Sequence, residues 1–154
     1  MRDFPYCVVV LLLFLPAWLG GQTPDYADHL FNQRKFPAAI LEYERYLYQG
    51  AGNEADSLYA QKKILAAYYD GGMYDQLTEY SSASDLIGRD REFTSRFLAL
   101  GEFREGRYEV ARLIPNPADG PNSLLLIGIT DMYLNRTGAT KASFAALPYA
   151  KTES

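Results

Sequence analysis

The side chains able to do chemistry are few in this sequence. It holds one cysteine, Cys7, and one histidine, His29. A single cysteine closes no disulfide within the chain, and a Cys/His zinc site has too few ligands to assemble. A Cys–His or Ser–His pair would have to run through His29. That residue follows Asp28 directly, but neighbouring helical positions point about 100° apart, so the two make no ready dyad. A lone helical histidine is more often a surface or capping residue. Two close carboxylate pairs occur, Glu42/Glu44 and Asp90/Glu92. Acid–base catalysis needs two such groups in one cleft with their pKa values pushed apart. Here they alternate with Arg45, Arg89 and Arg91, the composition of a solvated helix face. No glycine-rich phosphate loop follows a strand pattern. Asn135–Arg136–Thr137 has the spacing of a glycosylation acceptor, a pattern common by chance and meaningful only in a pathway that glycosylates. The expectation is a non-enzyme with no catalytic residue, no metal and no cofactor.

The elements behind those residues begin with an address. Val8 to Leu15 read VVVLLLFL, followed by Pro16, Ala17 and the pair Gly20–Gly21. A short apolar run before small residues is the pattern of a secretory signal peptide. From Cys7 to Leu19 the run is about 13 residues, against the roughly 20 of a spanning helix. Arg2 is offset by Asp3 and no Ala-x-Ala site is present, so the expected cut falls after Gly21. An uncleaved anchor is the first alternative and a buried strand the second. Gln22 or a neighbour at the mature N-terminus decides for cleavage, and an intact Met1 in a membrane fraction decides for the anchor. Cys7 precedes the apolar run and is not a lipid-acceptor cysteine. Cleavage removes it, leaving a cysteine-free chain suited to an oxidising compartment. The expected organisation is residues 1–21 as signal, 22–147 as the folded domain and 148–154 as a polar tail.

The domain is too apolar for a disordered chain, with 48% apolar residues over the whole sequence. Its net charge of −4 is spread among interspersed signs, which argues against nucleic acid because a phosphate-binding protein carries a basic stripe. Thirteen tyrosines suit partly buried helix surfaces, since the ring packs while the hydroxyl stays wet.

From Tyr26 the chain repeats helix, tight polar turn, helix. Ala27, Leu30 and Phe31, then Phe36, Ala39, Ile40, Tyr43 and Leu47, fall at spacings of three and four. Pro37 fits the first turn of a helix, where no donor is lost. A second unit turns at Gly71–Gly72, a third at Glu105–Gly106, and a weaker fourth near Arg136–Gly138. The aromatic after the turn recurs after 38 residues, Phe36 to Tyr74, and after 34, Tyr74 to Tyr108. Ala111 and Ala142, 31 apart, pair the last two units.

On Phe36, Ala39, Ile40, Tyr43 and Leu47, on Ile64, Tyr68, Gly72 and Tyr74, and on Gly106, Tyr108 and Ala111, the chain resembles the tetratricopeptide repeat family over roughly Tyr26 to Leu147. The resemblance implies an all-α, right-handed solenoid of three to four helical hairpins, whose stacking completes a core no single hairpin can bury. Departures are plain. Leu77 stands where the family has a small residue, so that hairpin must open or pack differently. Ala27, Leu65 and Ala99 lie near the place of the usual glycine. Pro115 and Pro117 cut the second helix of unit three, and Asn122 or Ser123 is expected to cap the next helix. An irregular helical bundle with accidental periodicity is the plainer alternative.

The resemblance further implies that first helices line a concave groove. Alignment on the turn aromatic puts Phe31, Tyr69, Phe103 and Leu134 in one column, and Lys62 and Arg96 in a second with Arg104 nearby. Such a stripe suits an extended peptide bearing an acidic group or free carboxylate. These aromatics also fit an inter-repeat core, and the cations ordinary solvated charge. The expected function is an exported scaffold for protein–protein contacts, periplasmic or extracellular, with a protein or peptide partner, no nucleic acid, and a membrane only if the N-terminal segment is retained. A membrane-tethered accessory or chaperone-like subunit is the runner-up. Four units are few, so self-association is a further expectation.

Overall fold

A computed structural model describes residues 24–147; the expected signal over 1–21 and the tail over 148–154 lie outside the described residues. What is described is all-α. The helices are α1 Asp25–Asn32, α2 Phe36–Tyr48, α3 Glu54–Asp70, α4 Tyr74–Ala83, α5 Leu86–Arg89, α6 Arg91–Arg104, α7 Tyr108–Leu113, α8 Pro121–Tyr133 and α9 Thr137–Ala145, with a short 3₁₀ turn at Pro117–Asp119. No helix among the described residues is long and apolar enough to cross a membrane.

Four tight turns join α1 to α2, α3 to α4, α6 to α7 and α8 to α9, and all four have one geometry. Arg34, Gly72, Gly106 and Asn135 take the left-handed conformation, with φ of 59°, 70°, 78° and 57°. Each donates its N–H to the carbonyl three residues back, and the next residue donates to the carbonyl five back: Lys35 to Leu30, Met73 to Tyr68, Arg107 to Glu102, Arg136 to Asp131. This doubly bonded closure satisfies carbonyls that the helix end leaves open. The following helix starts at once, with Pro37 in the first turn of α2 as its fixed φ favours.

Each pair so joined packs as a hairpin, and successive pairs lie on one another: α2 on α3, α3 and α4 on α6, α6 and α7 on α8. The register follows the turns. Seven residues before each left-handed residue lies a buried Ala27, Leu65, Ala99 or Gly128, and five after it a buried Ala39, Leu77, Ala111 or Thr140. One cluster joins Ala27, Leu30, Ala39, Ile40, Tyr43, Tyr46, Ala60, Ile64 and Ala67. A second joins Leu65, Leu77 and Leu86. Leu77, too large for its place by the repeat pattern, is accommodated across the junction: a Cβ on Gly101 of α6 would already touch Leu77 and Tyr74, each at 3.6 Å.

The fourth unit departs from the sequence expectation. Its turn is Leu134–Arg136, because asparagine tolerates the left-handed conformation and no glycine is required there. Gly138 lies inside α9, Thr140 takes the place assigned to Ala142, and Ala142 is exposed. Neither Asn122 nor Ser123 caps α8. The helix begins at Pro121 behind Gly120, whose φ of 145° turns the chain in. The Asn122 amide donates instead to Glu92 Oε1 at 2.9 Å. As expected, α7 stops at Leu113, short of Pro115. Between α4 and α6 the short α5, which no periodicity marks, supplies the buried Leu86.

Candidate binding face

The turn register fixes where each candidate side chain starts. Phe31, Tyr69 and Phe103 all lie three residues before the left-handed residue of their own turn, so they share one position on α1, α3 and α6. Each meets an aromatic five residues on, across the turn. Phe31 meets Phe36 with centroids 5.5 Å apart, Tyr69 meets Tyr74 at 6.0 Å, and Phe103 meets Tyr108 at 5.1 Å. Two of the three also touch the next hairpin: Tyr69 sits edge-on to Phe97 at 5.4 Å, and Phe103 edge-on to Tyr133 at 4.8 Å. The column is thus a half-buried aromatic seam that joins hairpins and keeps one edge in water. Leu134 does not belong to it. It is the C-terminal residue capping α8, and the equivalent place is taken by Met132, which is 58% exposed.

Lys62 and Arg96 also share a position, ten residues before their turns, yet their surroundings differ. Lys62 is ion-paired to Asp90 and lies 5.1 Å over the Phe93 ring. Arg96 lies 5.4 Å from the Phe93 centroid and 5.5 Å from that of Phe97, and forms no ion pair among the described residues. A guanidinium held against two rings with its donors unspent is ready for a carboxylate. Arg104 is occupied by a neutral partner, its Nε donating to the Tyr69 hydroxyl at 3.2 Å.

Asp28, weighed in the sequence only as a neighbour of His29, is the centre of the junction between the first two hairpins. It accepts from the hydroxyls of Tyr43 and Tyr59 and lies 3.4 Å from the Lys63 ammonium. Burial first, and the Asp28 carboxylate second, push Tyr59 up to about 12 and raise Tyr43 further, so both stay protonated donors. Lys63 completes the cluster 4.6 Å over Phe31. The one legible signal was the Tyr59/Lys63 and Phe93/Phe97 spacing of four on one helix face. His29 stays on the exposed side of α1 beside the Gln33 amide, 2.6 Å away.

Asp90 is not part of a solvated carboxylate pair. It is the residue before α6, where its side chain accepts the Phe93 N–H at 3.1 Å while pairing with Lys62. Partial burial works to raise its pKa, but the Lys62 ammonium, the Phe93 N–H and, less strongly, the charge of Arg96 outweigh that and leave it below the ordinary value. The fold therefore favours the ionised form. This contribution is whole above about pH 4, the unfolded value, and fades as the pH falls through the lowered folded value. Asp90→Ala should lose the cap, about 1 kcal/mol, whereas Asp90→Asn keeps a capping oxygen and loses only the charge. Urea midpoints measured against pH should then flatten on the acid side for Asp90→Asn; an acid limb identical to the parent's would show that the charge contributes nothing.

No group of three or more His, Cys, Asp and Glu side chains gathers to hold a metal among the described residues. Compared with known proteins, the chain matches no family model, no curated protein and no solved structure.

Proposed function

We propose that this protein is an exported, tetratricopeptide-like helical repeat scaffold that holds protein or peptide partners on the face of α3, α6 and α8. What carries the proposal is the conjunction on that face of a half-buried aromatic seam with a ring-stacked Arg96 that forms no ion pair among the described residues. Four identical turns and a common register of buried residues support the repeat reading. So does Gly128, which puts a glycine at the register place of Ala27, Leu65 and Ala99. The partner so favoured is an extended segment with an acidic side chain or chain terminus set beside apolar residues. Lys62, being tied to Asp90, supports the surface and is not an anchor; Phe103, held in a three-ring cluster with Tyr108 and Tyr133, stiffens it. Export rests on the apolar run Val8 to Leu15, and the role as adaptor is an analogy of fold.

An immobilised peptide library offered to the purified chain should enrich peptides carrying Asp, Glu or a free carboxylate next to an apolar residue. Arg96→Glu should weaken the best of them at least about tenfold, or roughly 1.4 kcal/mol, with helicity unchanged. Enrichment that ignores acidity, or that survives Arg96→Glu, removes the assignment.

A further inference from the structure

At the first turn a recess of about 320 Å³ opens between the end of α1 and the end of α3, lined by Phe31, Asn32, Arg34, Phe36 and Asp70. Its volume is at the small end of the range used by low-molecular-weight ligands. Phe31 and Phe36 are among its lining residues, and their rings meet edge to face with centroids 5.5 Å apart. It also has one cation and one anion, and neither the Arg34 guanidinium nor the Asp70 carboxylate has a partner among the described residues. They do not neutralise each other: no ion pair joins them.

The backbone adds an independent observation. Arg34 occupies the left-handed position of its turn with φ of 59°, where two other turns have glycine and one has asparagine. Those residues take the conformation cheaply and arginine does not. A strained, unpartnered arginine at the lip of a recess is where function offsets local cost.

We propose that this recess binds a free aromatic α-amino acid as its zwitterion. The ligand carboxylate pairs with the Arg34 guanidinium, its ammonium with the Asp70 carboxylate, and its ring joins Phe31 and Phe36, with the Asn32 amide beside the head group. A chain terminus would satisfy only one of the two charges and cover the other without a partner. Phe31 belongs to the aromatic column but lies on α1, outside the α3, α6 and α8 face proposed for peptides, so the recess does not depend on that assignment, which is centred on Arg96.

The probe is L-phenylalanine, titrated into the purified chain and followed by amide chemical shifts in two-dimensional NMR. Saturable shifts are expected around residues 31–36 and 70–72, with a Kd on the order of 1 mM. N-acetyl-L-phenylalanine and L-phenylalanine amide should each bind about tenfold more weakly, since each loses one ionic contact. Arg34→Gly should weaken binding about tenfold while the melting temperature holds or rises, because glycine fits the turn. Peptide capture through Arg96 should be unaffected by Arg34→Gly. The proposal is overturned by shifts that stay linear to about 50 mM, far above that Kd. Equal binding of either blocked form, or binding indifferent to Arg34→Gly, overturns it as well.

Discussion

Arg112→Ala should destabilise the chain by about 3–5 kcal/mol, a large share of the roughly 5–15 kcal/mol available to a domain of this size. Its partner Asp131 is completely buried on α8, and the Arg112 guanidinium of α7 donates Nε–H to its Oδ1. The other oxygen, Oδ2, is buried with no hydrogen-bond partner among the described residues. Removing the cation leaves a carboxylate in the interior with nothing to offset its desolvation. Arg112 itself is partly exposed, so the burden falls on the acid. The informative companion is Arg112→Met with Asp131→Leu, which takes both charges away and should recover most of the loss, as apolar replacement of a buried pair commonly does. Urea unfolding of the three proteins measures this directly. A single variant within about 1 kcal/mol of the parent would mean that water already solvates the acid.

The second large effect is expected at the junction of the second and third hairpins. Leu65, Leu77 and Leu86 form one fully buried cluster contributed by α3, α4 and α5, and Phe93, Phe97 and Leu98 of α6 close over it. Leu65→Ala should cost about 2–5 kcal/mol through lost burial and the cavity left behind. Leu113, 76% exposed at the end of α7, is the matching control, and Leu113→Ala should stay within about 0.5 kcal/mol. If the two leucines cost the same, the junction is not packed as described. The effect at Leu65 should also reach beyond one hairpin, because four helices meet around that cluster and α3 carries the first core cluster on Ala60, Ile64 and Ala67 as well.

Much of the helical layout could be read along the chain, and the reasons it could not all be read are specific. Gly72 and Gly106 announced their turns because glycine is the usual residue for a left-handed helix end. Arg34 and Asn135 perform the same task without announcing it, and for that reason the fourth turn was expected two residues late. Its error propagated: Ala142 replaced Thr140, and Leu134 replaced Met132 in the aromatic column. The helix α5 has four residues, too few to show any period. Leu77 read as a misfit because part of the surface it packs against, at Gly101, lies 24 positions away on the following hairpin.

The candidate face shows the same division. Its residue types and their spacing of three and four on first helices were visible, and with them the column of Phe31, Tyr69 and Phe103. Side-chain company was not. Lys62 and Arg96 are equivalent by register, yet Asp90 pairs with Lys62 from the start of α6 and acts on Arg96 only at longer range. Asp28 looked like the neighbour of a histidine and is in fact shared by Tyr43 of α2 and by Tyr59 and Lys63 of α3.

By itself the sequence determined the all-helical class and the position of the proline break. Periodicity and proline sterics are local properties that each stretch of chain carries with it. Only the tertiary structure decided which of Lys62 and Arg96 is ion-paired to Asp90, which acid is buried, and that Arg34 and Asp70 share one recess. Those outcomes depend on groups tens of residues apart meeting within a few ångströms, and spacing along one helix does not encode which side chain of the next helix arrives there.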